Sequence, residues 1–257
     1  MPLRFASIGS GSEGNGLVVE SGTTRVLMDC GFSLAETRAR LARLGLAPED
    51  LDAVLVTHEH GDHIGGVARL AAKYELPVWC THGTWINWRA QADVVPWLEM
   101  IDPHRPFSVG ELEIQPFAVP HDAREPVQFV FRAGRRKLGV LTDAGHVTPH
   151  IAASLGGVQA LVLECNHDAG MLAAGPYPPA LKKRVGGNYG HLENRQAAAL
   201  LKQMDVSRLR HVIAAHLSQK NNTPALARQA LAEELDCEAE WIEVACQDGG
   251  FGWRAID

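Results

Sequence analysis

Seven consecutive residues restrict the folds open to this chain more than anything else in it: Thr57-His58-Glu59-His60-Gly61-Asp62-His63. They follow Leu51-Asp52-Ala53-Val54-Leu55-Val56, whose aliphatic and β-branched side chains predict a strand. They precede Ile64-Gly65-Gly66-Val67-Ala68-Arg69-Leu70, where apolar residues recur at helical spacing. Four side chains able to ligate a metal therefore fall on one strand-to-helix turn. In extended backbone His58 and His60 point the same way, being two apart. Asp62 and His63 are adjacent and diverge from that pair as the chain turns into the helix. Such a layout suits two metal ions close together better than one ion with four ligands. A histidine-rich surface loop is the plainer alternative, and three histidines with two acids in so short a run weigh against it.

At 257 residues the chain can bury a sizeable core, and its simplest organisation is one domain over 1–257. Apolar content of 46% against 21% charged residues reads as an ordinary soluble protein, and no apolar run is long enough to span a bilayer. The first residues lack the long apolar core of a secretory signal, so a cytoplasmic location is expected. Cys30, Cys80, Cys165, Cys237 and Cys246 are odd in number and never form a Cys-x-x-Cys pair, which argues against a disulfide framework and a thiolate zinc finger. A formal charge of −6 exerts no overall pull on a nucleic-acid backbone. The local basic runs, Arg132 with Arg135-Arg136-Lys137 and later Lys182-Lys183-Arg184, read as solvated hairpin or helix faces.

Residues 3–8 and 15–20 read as strands joined by Gly9-Ser10-Gly11-Ser12-Glu13-Gly14-Asn15-Gly16, a loop whose glycines allow close backbone approach and whose amides are candidates for holding an anion. Arg25–Asp29 is a third strand. Its terminal Asp29 is an acid that burial makes costly unless it meets a donor or cation, so it is a candidate support for the metal-binding loop. Ser33, Glu36 and Gly45 bracket a helix over Ser33–Leu44. A short strand at Pro77–Cys80 and a helix at Gly83–Ala92 follow. Phe107–Val119 and Val127–Thr142 read as antiparallel strands whose ends run out at His121 and Asp143, where a site on a sheet rim is built. Beyond Asp143, strands alternate with helices. A strand at Ala160–Leu163 leads to Glu164-Cys165-Asn166-His167-Asp168, and residues 170–190 are rich in proline and glycine. His191-Leu192-Glu193-Asn194 opens an alanine-rich helix through Gln203, the strand His211–Ala215 ends at His216, and Pro224–Leu235 is helical.

The set His58, His60, Asp62, His63, His121, Asp143 and His216 resembles the metallo-β-lactamase fold superfamily, in order and in strand-end position. The resemblance implies an α/β fold, a four-layer αββα sandwich with a dinuclear site on one rim. It implies that His58, His60 and His121 hold one metal, that Asp62, His63 and His216 hold the other, and that Asp143 bridges them; Asp29 matches the superfamily's first acidic motif. Five imidazoles and two carboxylates suit zinc, with manganese or iron as alternatives. A water shared by two such ions becomes a nucleophile near neutral pH. A zinc β-lactamase would place cysteine where Asp143 stands, which argues against antibiotic hydrolysis. Glyoxalase-II-like thioesterases and lactonases share the ligand pattern. The segments Ser10–Asn15, Glu164–Asp168, Gly190–Asn194 and His216–Asn222 resemble the YycJ/WalJ (VicX) branch, related to phosphodiesterases and nucleases such as RNase Z. In such relatives a histidine opening the late helix touches the scissile phosphate, and His191 is the matching position; Glu193 departs from the usual serine. The inserted cap of the β-CASP nucleases is absent between Asp143 and His216. The expectation is a dinuclear phosphodiesterase or nuclease, exonuclease included, acting on nucleic acid or another phosphodiester. Asp62 and His191 would serve catalysis, and Asn166, His167 and His191 would contact substrate. A thioesterase or lactonase using the same metals is the alternative.

Overall fold

The computed structural model describes residues 2–90 and 94–257. Apolar runs bounded by glycine, proline or an acid become strands, and among the described residues these build two seven-stranded sheets. The first sheet contains β1 (Leu3–Gly9), β2 (Gly16–Ser21), β3 (Thr24–Met28), β4 (Ala53–Leu55), β5 (Val78–Thr81) and β6 (Leu98–Ile101) in that spatial order. The second contains β7 (Phe107–Val109), β8 (Leu112–Ala118), β9 (Val127–Ala133), β10 (Arg136–Leu141), β11 (Ala160–Glu164), β12 (His211–Ala215) and β13 (Glu243–Val244). The final strand, β14 (Phe251–Ile256), returns to pair antiparallel with β1. Both sheets are mixed: β3 to β6 run parallel, as do β10 to β13, while the other pairings are antiparallel.

The sheets face each other across a core that includes Phe5, Leu55, Phe129, Phe131, Val140 and Val162. Helices α1 (Leu34–Ala42), α2 (Gly61–Ile64), α3 (Val67–Tyr74) and α4 (His82–Trp88) belong to the first half of the chain. From these, Leu41, Leu70 and Trp88 pack with Leu27 and Val54 on the outer face of the first sheet. The later helices are α5 (Pro149–Leu155), α6 (Ala169–Ala174), α7 (Pro179–Val185), α8 (Asn194–Gln203) and α9 (Pro224–Leu235). Ile151, Leu200 and Leu231 from three of them cover Leu161 and Val212 of the second sheet. The layering is α/β/β/α, the sandwich expected from the sequence.

Several boundaries differ from expectation. The helix after His63 is broken into α2 and α3 at Gly65-Gly66, where the Gly66 amide donates to the Cys30 carbonyl at 2.8 Å rather than within a helix, and a Cβ at Gly66 would lie 1.9 Å from the Phe32 carbonyl. Helix α4 is shorter than Gly83–Ala92, and the Ala92 end of that expectation lies outside the described residues. The proline- and glycine-rich residues 170–190, given no element by the sequence, hold most of the short helix α6 and all of α7; Pro179 is tolerated because it opens α7. The Ser33–Glu36 capping box forms as predicted. Among the described residues, no helix is long and apolar enough to cross a membrane.

The carboxyl ends of β3, β4, β8, β10, β11 and β12 meet at one rim. Beyond or at these ends lie Asp29, His58, His121, Asp143, Glu164 and His216. Asp29, Asp143 and His216 take positive φ of 60°, 50° and 55°, a conformation uncommon outside glycine that turns each side chain sharply off its strand.

Candidate metal centre

Three imidazole nitrogens converge on one point: His58 Nε2 and His121 Nε2 lie 3.0 and 3.2 Å from His60 Nδ1. Burial holds His58 well below the ordinary imidazole range and lowers His121 as well, so both rings present a lone pair. One His60 proton cannot satisfy both neighbours, whereas a cation among the three does. Beside them, Asp62 Oδ2 lies 3.3 Å from His63 Nε2 and 3.4 Å from His216 Nε2. Asp143 stands between the two groups, with Oδ2 3.0 Å from His63 Nε2 and Oδ1 3.9 Å from His121 Nε2. Asp143 is 2% exposed, yet its Oδ2 accepts no hydrogen bond from the described residues despite the short contact with His63. An orphaned carboxylate oxygen among facing imidazoles is the signature of a donor set that fits divalent cations. Ligand atoms of His58/His60/His121, of Asp62/His63/His216 and of His58/His63/Asp143 lie within 4.8 Å of one another in each group, as do those of Asp143/Glu164/His191/His216.

The outward nitrogens are held from behind. His58 Nδ1 meets Thr57 Oγ1 at 3.0 Å, His63 Nδ1 meets Asp29 Oδ2 at 2.8 Å, and His121 Nδ1 meets the Gly190 carbonyl at 2.9 Å. His216 Nδ1 faces Glu164 Oε1 at 3.2 Å. Such contacts fix tautomer and ring plane in metal sites. Asp29 also accepts from the Thr57 amide and hydroxyl, which ties β3 to the ligand turn. Burial opposes charge on His63, but Asp62, Asp143 and Asp29 together raise it well above the ordinary value; His216 rises to about 9 by the same balance against Asp143 and Glu164. For Asp62, burial is outweighed by His63 and His216, which hold it well below the carboxylate range. Divalent cations held by these residues would compete with protons for the same ring nitrogens.

His191 lies at the edge of the cluster, with Nδ1 2.8 Å from Glu164 Oε1 and 3.2 Å from Asp143 Oδ1. Its ring lines a cleft of about 310 Å³ together with His60, Asp62, Asp143 and His216. Asn166 and His167 are not among the residues lining this cleft. The Asn166 amide donates to the His216 carbonyl, 3.0 Å away, and the His167 ring is buried beside it. Both side chains are buried outside this cleft.

The Gly9–Gly16 loop also departs from expectation. Its amides at Gly9, Ser10, Gly11, Glu13, Gly14 and Asn15 are engaged with Ser7, Cys246, Asn15, Gln247, Gly11 and Asp62, so the loop is no anion nest. It instead places Asn15 Nδ2 3.1 Å from Asp62 Oδ2. Glu193 caps α8 by accepting from the Arg195 amide, the task a serine performs at a helix start. Glu59 Oε1 is held by Asn87 Nδ2 and the Arg124 amide. Sequence reasoning missed Glu164, Asn15 and Asp122, which lines the cleft with Oδ1 3.4 Å from His121 Nε2; the signal for Glu164 was present, since it is an acid closing an apolar strand like Asp29.

The Beta-lactamase superfamily domain model matches residues 24–216. The chain belongs to the metallo-β-lactamase superfamily. Within the superfamily it lies in the YycJ/WalJ branch: it is 37% identical to "Exodeoxyribonuclease YycJ" of Bacillus anthracis over 242 residues, covering 92% of this chain and 90% of that protein. It is 31% identical to "Exodeoxyribonuclease WalJ" of Streptococcus pneumoniae over 241 residues, 91% and 88% of the two chains. The crystal structure of the metallo-β-lactamase fold protein YhfI from Bacillus subtilis superposes with a TM-score of 0.78 over 100% of both chains at 18% identity, a likeness of fold. As a metallo-β-lactamase superfamily member of this branch, the chain is a metal-dependent hydrolase.

Proposed function

We propose that residues 1–257 act as one domain, an exodeoxyribonuclease that hydrolyses phosphodiester bonds with two divalent ions, zinc fitting the donors best. His58, His60 and His121 hold one ion, Asp62, His63 and His216 hold the other, and Asp143 reaches both. Bound there, the ions supply Lewis acidity toward the phosphoryl oxygens and lower the pKa of water. Asp62 serves catalysis as a ligand, because its Oδ2 is already engaged by His63, His216 and Asn15.

The observation that carries the reading is His191. Its Nδ1 is clamped by Glu164 and Asp143, and its ring opens onto the cleft beside the ligands. Burial disfavours its charge, but the two carboxylates raise it well above the ordinary imidazole value. A cationic ring in that place donates to a phosphoryl oxygen or protonates the leaving oxygen. The nuclease names of relatives that span nine-tenths of the chain support DNA as the substrate. Cytoplasmic residence is supported by the five unpaired cysteines. A thioesterase or lactonase would leave His191 without a task. With His191→Ala, hydrolysis of bis-(p-nitrophenyl) phosphate falls by about 10² or more, while any thioesterase activity is unaffected. Unchanged diesterase activity would remove His191 from the mechanism.

A further inference from the structure

Two of the three residues assigned to one ion have a partner behind them that is not itself assigned as a ligand: Asp29 behind His63 and Glu164 behind His216. The third, Asp62, is the least covered, with a side chain 23% exposed against 1% and 2% for those rings. We propose that Asn15 is the positioning residue for Asp62, and that the turn over residues 246–250, near the other end of the chain, holds Asn15 in place through Gln247. The inference rests on the ligand assignment above and names what keeps the most exposed ligand of that ion aimed.

Asn15 is buried, and both ends of its side-chain amide are engaged. Nδ2 donates to Asp62 Oδ2 at 3.1 Å and to the Gly11 carbonyl at 3.0 Å, while Oδ1 accepts from the Gly11 amide at 2.9 Å. Turning the amide over would set Oδ1 against the Asp62 carboxylate and Nδ2 against the Gly11 N–H, so the network fixes its orientation. The backbone adds to the hold: Asn15 N donates to the Asp62 carbonyl at 2.8 Å. Among the described residues, His63 and His216 are the other partners of the Asp62 carboxylate, and both turn Nε2 to the same Oδ2. A ring nitrogen that ligates a cation no longer donates, so with an ion bound the Asn15 amide is the hold that remains.

Asn15 lies in a loop, and that loop is gripped from the far end of the sequence. Gln247 Oε1 accepts from the Glu13 amide at 2.9 Å, and its Nε2 donates to the Gly14 carbonyl at 2.8 Å, one residue before Asn15. The Ser10 amide donates to the Cys246 carbonyl at 3.1 Å. Gln247 is anchored in turn by α1. Arg40 Nη1 donates to the Gln247 and Asp248 carbonyls at 3.0 and 2.9 Å, and Arg43 Nη1 reaches Asp248 at 2.8 Å. The Arg40 guanidinium carbon stands 4.0 Å over the Phe32 ring centroid, which fixes its plane. Gln247 thus brackets residues 13 and 14 with one donor and one acceptor, and displacing that bracket moves the Asn15 amide off Asp62.

The experiment titrates zinc into EDTA-treated, dialysed full-length protein in competition with a chromophoric chelator, then repeats the titration with cobalt, whose visible absorption reports ligand geometry. Wild type binds two equivalents, and Asp62→Ala identifies one of them by weakening it. Asn15→Ala weakens that same equivalent by about 10- to 100-fold and alters its cobalt band, while the other equivalent stays within about threefold. Gln247→Ala weakens it by about 3- to 10-fold. Added to Asn15→Ala, Gln247→Ala changes the affinity by less than about twofold, because it acts through Asn15. Wild-type affinity for both equivalents in Asn15→Ala, or an equal fall of both, would overturn the positioning role. Losses that multiply in the double variant would overturn the link through Gln247. Should Asn15→Ala fail to fold, Gln247→Ala decides alone: weakening of the Asp62 equivalent supports the clamp, and weakening of neither or of both alike overturns it. A wild type that binds fewer than two equivalents would overturn the ligand assignment and the clamp together. One that binds two and cleaves no DNA, with the Asn15→Ala loss confined to one equivalent, would overturn the nuclease reading and leave the clamp standing.

Discussion

A carboxylate without exposed surface stays charged only if both oxygens are filled, and those of Glu164 are. Oε2 accepts from the Ala144 and Leu192 amides at 2.9 and 3.2 Å, while Oε1 faces Nδ1 of both His191 and His216. Burial alone would raise its pKa, but His191 and its hydrogen bonds bring it down to about 2. Glu164 thus positions two rings at once and acts through them. Glu164→Gln keeps the shape and one acceptor, so stability changes little, kcat falls about 10- to 100-fold, and KM moves less than twofold. Combined with His191→Ala, the second loss is much smaller than the first, because the two act as a unit. Fully multiplicative losses in that double-mutant cycle would show that Glu164 acts elsewhere. At this scale the sequence was readable where a polar residue closes an apolar strand, as at Asp29, His121, Asp143 and His216. It did not show that Asn166 and His167 are buried outside the cleft, because a loop side chain can face the cleft or the backbone behind it, and only packing decides.

Three segments meet where the ligand turn is held in place: the Gly9–Gly16 loop, the Asp29–Phe32 turn and α2. Gly31 allows it. A Cβ there would lie 1.9 Å from the Asp62 carbonyl and 2.8 Å from Gly14 Cα, with backbone on both sides unable to yield. Gly31 N donates to Asn15 O, and Cys30 N to His63 O, so displacing the turn also disturbs two ligand residues' supports. Gly31→Ala should cost about 1–3 kcal/mol in urea unfolding and lower bound metal below that of the wild type. Wild-type stability with full metal content would contradict the account of this junction. Elements with continuous aliphatic runs, such as β2, β11 and β12, were legible because their period and boundaries agree. Helices α6 and α7 were not: both are short, and α7 lacks a buried residue. Their helicity is set by Asp168 capping α6 and by Pro179 opening α7, signals weaker than the surrounding prolines and glycines.

Over the whole molecule, the seven candidate ligand residues could be listed from the sequence. Their meeting required the topology that brings the carboxyl ends of parallel strands from two sheets to one rim. The same architecture keeps the cationic contacts few on a chain of net charge −6. DNA binding should therefore depend weakly on salt, with log K falling against log[salt] at a slope between about −1 and −2. A slope as steep as about −5 would require an extensive basic surface that the fold does not provide. The central claim is metal-dependent cleavage from a strand end, and the most direct measurement titrates zinc into metal-free protein while following end-labelled DNA by product length. The account predicts that activity rises to a plateau at two equivalents of bound zinc and that the label is released as mononucleotides from the first time points. Protein carrying two equivalents that leaves the DNA intact, or that is fully active with fewer, would contradict it.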